Sequence, residues 1–171
     1  MLISVVQAKK ELGGRQEFSF VTAAEKLNID GQHPYKNGDI IVKGEVTNLG
    51  DRLTIAGTIT AQAAYECNRC LTFFERQETI SFAEDFREAN QPLSQGLGEA
   101  DCIIYEGDFI DIDELVRENL LLNEPLQPLC SDACLGLCPV CGVNRNEQSC
   151  NCNQESIDPR LAILSRLIQE K

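Results

Sequence analysis

The chain has 171 residues, 43% of them hydrophobic and 25% charged, with no tryptophan and a formal net charge of −12. That length and apolar content suffice to bury a core, while the acidity argues against general nucleic-acid affinity, which rests on Lys and Arg displacing counterions from phosphate. The opening apolar run is too short for a secretory segment and no stretch nears the ~18 apolar residues of a membrane helix, so a cytoplasmic protein with no membrane contact is expected, in a compartment that keeps thiols reduced.

In chain order, Gln16 to Thr22 alternates polar and apolar residues, which predicts a strand with Phe18 and Phe20 on one side. Ile40 to Thr47 repeats the pattern, and Asn48-Leu-Gly-Asp51 is a turn signal because Gly50 takes a positive φ without steric cost. Arg52 to Glu66 then sets Leu53, Ile55, Gly57, Ile59, Ala61, Ala63 and Tyr65 on one face, the pattern of a long, half-buried antiparallel strand. A further strand is predicted over Phe73 to Phe86, which puts Cys67-Asn-Arg-Cys70 at a hairpin tip. Periodicity stops from Glu88 to Ala100, where a loop is expected. A short strand follows at Cys102 to Tyr105, with Cys102 read as a small packing residue. Asp111 reads as an N-cap with Glu114 three positions on, opening a helix that runs through Leu122 until Pro125 stops it. Asp158-Pro159 opens a last helix with Leu161, Leu164, Leu167 and Ile168 as its apolar stripe.

These elements predict an α+β protein: a curved antiparallel sheet, one or two helices and a C-terminal zinc knuckle. Residues 1–126 would form the β-rich main domain carrying the hairpin-tip cysteines. Residues 127–171 would form a cysteine-rich knuckle and a helix packed on it. The charge is uneven: residues 1–74 hold 8 acidic and 8 basic side chains, residues 75–124 hold 14 and 3, and residues 125–171 hold 5 and 4. The acidic middle would attract a basic protein, although such a run also reads as a solvated face.

Six of the nine cysteines crowd the segment from Cys130 to Cys152, and thiolates at such short spacing are what a tetrahedral soft-metal site requires. Cys138-Pro-Val-Cys141-Gly142 is the strongest local signal, since two intervening residues let one turn aim both sulfurs inward. Cys150-Asn-Cys152 would complete that site. Cys67 and Cys70 with Cys130 and Cys134 would then form a second, long-range site; this is the preferred division. The alternative puts Cys130 or Cys134 with Cys138 and Cys141 and leaves Cys67 and Cys70 free. Spacing excludes neither. Two zinc ions, closed and structural, are the expected cofactor, because four thiolates leave no vacancy for catalysis.

No other pattern predicts an enzyme or a small-molecule substrate. His33, the single histidine, precedes Pro34 in a polar loop and reads as solvated, and the carboxylates from Asp108 to Glu118 complement a helix dipole. Arg69 and Arg145 sit in the two cysteine turns and are the basic residues best placed to touch RNA phosphate; each equally reads as a surface charge.

Taken in order, Glu66-Cys-Asn-Arg-Cys70-Leu71, the acidic middle, Asp113-Glu-Leu-Val-Arg-Glu-Asn-Leu-Leu-Leu122, Pro128-Leu-Cys130 and Gly136-Leu-Cys-Pro-Val-Cys-Gly142 with Asn144 and Asn146 resemble the YceD family. The similarity covers about Ile40 to Leu167. It implies a ribosome-biogenesis factor that supports accumulation or maturation of large-subunit (23S) ribosomal RNA. It further implies a ribosome-assembly protein, ribosomal protein or ribonuclease as partner, with limited direct contact to the RNA. Relatives that keep the first Cys-x-x-Cys while lacking most C-terminal cysteines imply that Cys67 and Cys70 pair with Cys130 and Cys134. The rival expectations are a zinc-dependent redox sensor and a general zinc-ribbon interaction module.

Overall fold

The computed structural model describes residues 1–29, 31, 33–36, 38–91 and 102–152. The chain divides into two compact units: Met1–Tyr65 with Phe74–Leu126, and Glu66–Phe73 with the segment from Gln127 onward. The hairpin tip thus groups with the second unit and not with the β-rich one.

The first unit is built on a five-stranded sheet whose spatial order follows the chain: β2 (Arg15–Ala23), β3 (Asp39–Asn48), β4 (Leu53–Glu66), β5 (Phe73–Glu88) and β6 (Ile103–Tyr105). The alternation in β4 is the reason for its length: Leu53, Ile55, Ile59, Ala61, Ala63 and Tyr65 are all buried, while the residues between them stay partly or fully open. Register carries the same face across the sheet, with Phe20 opposite Val42 and Val42 opposite Ile59, and with Val46 opposite Ile55. Gly44 and Gly57 face each other in this row, and Phe18 lies opposite Gly44. A Cβ on Gly44 would stand 2.6 Å from Cζ of Phe18, so the ring fills the space that two absent side chains leave.

The sheet is mixed, where a wholly antiparallel one was expected. β6 runs parallel to β5, pairing Ile103 with Phe86 and Tyr105 with Glu88. A parallel neighbour needs a crossover of about a dozen residues or more, and positions 89–102 supply that length. A second, two-stranded sheet pairs β1 (Leu2–Ser4) with β7 (Phe109–Asp111), strands too short for periodicity to reveal. The helix α1 (Asp113–Leu122) buries Leu115, Val116 and Leu120 but leaves Leu122 exposed. Its capping is one residue out of the expected register. Ile112 holds the cap position, and Asp111 accepts the Asp113 N–H through Oδ1 at 3.0 Å. His33 is not simply solvated: its Nδ1 lies 2.8 Å from Oε1 of Glu124. Cys102 precedes β6 and is half-buried. The predicted loop beyond Gln91 and the final helix from Asp158 fall outside the described residues, and none of the described helices is long and apolar enough to cross a membrane.

Among the described residues the apolar core lies wholly in the first unit, from Ile3 to Leu120. The buried apolar side chains of the second unit are Cys67, Cys70, Cys134 and Cys138. Its interior is sulfur.

Candidate metal centres

The two Cys-x-x-Cys segments of the second unit are copies of one turn. In the first, the N–H of Leu71 donates to the carbonyl of Cys67 at 2.9 Å; in the second, Gly142 donates to Cys138 at 2.8 Å. The residue after the second cysteine is left-handed in both, with φ of 59° at Leu71 and 75° at Gly142. Each turn thereby aims two backbone N–H groups at its leading sulfur, those of Arg69 and Cys70 at Cys67 and those of Val140 and Cys141 at Cys138.

The sulfurs of Cys67, Cys70, Cys130 and Cys134 lie within 4.8 Å of one another, as do those of Cys138, Cys141, Cys150 and Cys152. Cys130 and Cys134 therefore stand with the hairpin tip and not with the second turn. Within the first group Cys67 and Cys134 are 3.8 Å apart and Cys70 and Cys130 are 3.6 Å apart. A disulfide needs about 2.05 Å, so these are separate thiols. A tetrahedron with metal–sulfur bonds of about 2.3 Å has edges of about 3.8 Å. The spacing and the all-sulfur donor set fit a soft, four-coordinate ion in each group.

The acidities of the thiols agree with a site that a cation completes. Burial acts to raise Cys67, but the N–H groups of Cys130, Arg69 and Cys70 outweigh it and bring the thiol down to about 6. The N–H groups of Cys141 and Val140 bring Cys138 down to about 6 against the same opposition. Their neighbours move the other way. Cys130 is pushed up to about 12, first by its hydrogen bond with Cys70 and then by burial, and Cys152 is pushed up to about 12 by Cys141 and by burial. Sulfurs this close do not all ionise together unless a positive charge sits among them.

Polar residues around the first group brace it. Thr72 Oγ1 accepts from Cys70 Sγ at 3.4 Å, and Asn144 Nδ2 donates to the same oxygen at 3.4 Å. Asn146 Nδ2 lies 3.3 Å from Cys134 Sγ. Thr72 carried no signal in the sequence, and Asn144 and Asn146 entered only through the family resemblance. Arg69 is exposed, yet Nη1 donates to the Cys134 carbonyl at 3.0 Å, and its own carbonyl accepts the Leu137 N–H at 3.0 Å. Arg145 is half-buried and borders a pocket of about 180 Å³ with Leu135, Gln148, Ser149 and Cys150, while its backbone N–H donates to Gly136.

A β-rich unit joined to a small unit that carries two cysteine tetrads defines the class of protein. The chain belongs to the YceD family, described as large ribosomal RNA subunit accumulation protein YceD, which matches residues 55–168. It is 27% identical over 123 residues to an uncharacterised protein of Mycobacterium tuberculosis, covering 72% of this chain and 59% of that relative's length. The chain thus spans about three-fifths of that relative. The uncharacterised protein YlbN of Bacillus subtilis is 28% identical over 162 residues, 91% of each chain. A shorter similarity, 33% over 61 residues, covers 36% of this chain and 19% of the large ribosomal RNA subunit accumulation protein YCED homolog 1, chloroplastic, of Arabidopsis thaliana. No solved structure matches the chain.

Proposed function

We propose that this protein is a cytoplasmic ribosome-biogenesis factor, not an enzyme, that supports accumulation of large-subunit ribosomal RNA while two zinc ions hold its second unit in shape. Family membership over residues 55–168, under a description that names this process, is the observation that supports it. In this reading Cys67, Cys70, Cys130 and Cys134 hold one ion, and Cys138, Cys141, Cys150 and Cys152 hold the other. Each ion would supply a cross-link and cancel thiolate charge, with no open coordination position for a substrate. Eight thiolates and two dications contribute 4 − 8 = −4, so the loaded protein is more acidic than its composition suggests. Contact with the assembling particle is accordingly assigned mainly to a basic protein partner, with Arg69 and Arg145 limited to incidental meetings with phosphate.

Two measurements test this. Elemental analysis of gently purified protein should find two zinc ions per chain; none at all would remove the metal part of the proposal. Depletion in cells should lower large-subunit rRNA relative to small-subunit rRNA, and the tagged protein should sediment with large-subunit precursors. Unchanged rRNA ratios together with sedimentation only as a free protein would remove the biogenesis part.

A further inference from the structure

We infer that Asn146 is a positioning residue through which the two metal centres are coupled, so that an ion in the second centre tightens the first. The inference rests on the metal reading above and deepens it.

Asn146 belongs to the loop between Cys141 and Cys150, which the second centre closes at both ends. Its side chain nevertheless serves the first centre. Oδ1 accepts the Leu135 N–H at 2.8 Å, while Nδ2 donates to Asn144 Oδ1 at 2.8 Å and faces Cys134 Sγ at 3.3 Å. The orientation of the amide is fixed by chemistry, because an N–H such as that of Leu135 only donates and the atom facing it must be oxygen. The nitrogen is then left for the sulfur.

The loop reaches the first centre by a second route as well. Asn144 Nδ2 donates to Thr72 Oγ1, which lies 3.4 Å from Cys70 Sγ and whose hydroxyl can turn its proton to that sulfur when it is a thiolate. Asn144 Oδ1 also accepts the backbone N–H of Asn146 at 3.1 Å. Backbone bonds complete the link: Arg145 N–H to the Gly136 carbonyl at 3.0 Å, and Leu137 N–H to the Arg69 carbonyl at 3.0 Å.

A centre of four thiolates around a dication keeps a net charge of −2, and each N–H aimed at a sulfur relieves part of it. The donors to Cys67 come from its own turn and from Cys130, but Cys134 draws one of its donors from a loop that another ion shapes. When the second centre is empty, that loop loses its closure and the first centre loses a donor. Partners of this kind commonly change metal affinity by about 10–100-fold. The coupling is reciprocal, so a filled first centre tightens the second by the same factor.

The experiment uses the full chain loaded with zinc, titrated with a chelator. Thiol alkylation and mass spectrometry then report protection cysteine by cysteine. Asn146→Asp keeps an oxygen for the Leu135 N–H but places an anion where the donor stood, so it separates sulfur positioning from loop shape. The expected result is that Cys67, Cys70, Cys130 and Cys134 lose protection at about 10–100-fold lower chelator in Asn146→Asp and in Cys138→Ser/Cys141→Ser. In Asn146→Asp, Cys150 and Cys152 should stay protected closer to the wild-type concentration, which also shows that the variant has folded. Loaded with cobalt(II), Asn146→Asp should shift the sulfur-to-metal charge-transfer band of the first centre to lower energy. Two ions in the wild type, with Asn146→Asp indistinguishable from it in both readouts, overturns the coupling alone. A wild type with no ions overturns the metal reading beneath it.

Discussion

Leu71 and Gly142 hold the same place in two copies of one turn, and only one of them is suited to it. A left-handed backbone costs a side-chain-bearing residue about 1–2 kcal/mol. Leu71, at φ 59° and 56% exposed, gains little burial in return. Leu71→Gly should therefore stabilise the metal-loaded protein by about 0.5–1 kcal/mol in denaturant unfolding, after the extra unfolded-state entropy of glycine is deducted. A loss of stability would mean that the exposed leucine is held by contacts the turn geometry does not reveal. The facing glycines of the sheet predict the opposite sign. A methyl group on Gly57 would come within 2.9 Å of the Gly44 Cα, so Gly57→Ala should cost about 1–3 kcal/mol of stability.

Elements differ in how openly the sequence announces them. β4 was legible because six buried residues alternate with open ones, broken only at Gly57, and α1 because its apolar spacing ends before Pro125. The three-residue strands β1 and β7 were not, since three residues show no period, and the parallel direction of β6 depends on a crossover that no local pattern encodes. The thiol groupings were partly legible. Spacing named the eight cysteines, but joining Cys70 to Cys130 across 60 residues is a tertiary fact, as is the approach of Asn146 to a sulfur. That separation has an energetic corollary. By cross-link entropy, closing a loop of about 60 residues contributes roughly 4 kcal/mol, against about 3 kcal/mol for a loop near ten residues. Cys67→Ser should thus lower global stability by about 1–2 kcal/mol more than Cys138→Ser, each variant retaining one ion. Equal losses in paired unfolding curves would argue that both ions act only locally.

At the scale of the molecule, the apolar core and the cysteine tetrads are divided between the two units. The first has a core running from Ile3 to Leu120, and the second buries cysteines in place of one. Structural zinc contributes about 10–16 kcal/mol in apparent terms, comparable to the stability of a whole domain. Strong chelator should therefore abolish amide protection across residues 127–152 in hydrogen exchange while strands β2 to β4 keep theirs. Uniform loss would show that the sheet too depends on the ions, and no loss would show that sulfur packing alone suffices. The separation of Cys70 from Cys130 also bears on how the chain is made. During translation the hairpin's thiols emerge first and wait, unpartnered, until the ribosome has added β5, β6, β7 and α1. In the proposed metal-bound state the first centre can form only once Cys130 and Cys134 have been made, so oxidant or metal scarcity during that interval would strike nascent copies while sparing those whose tetrad is already filled.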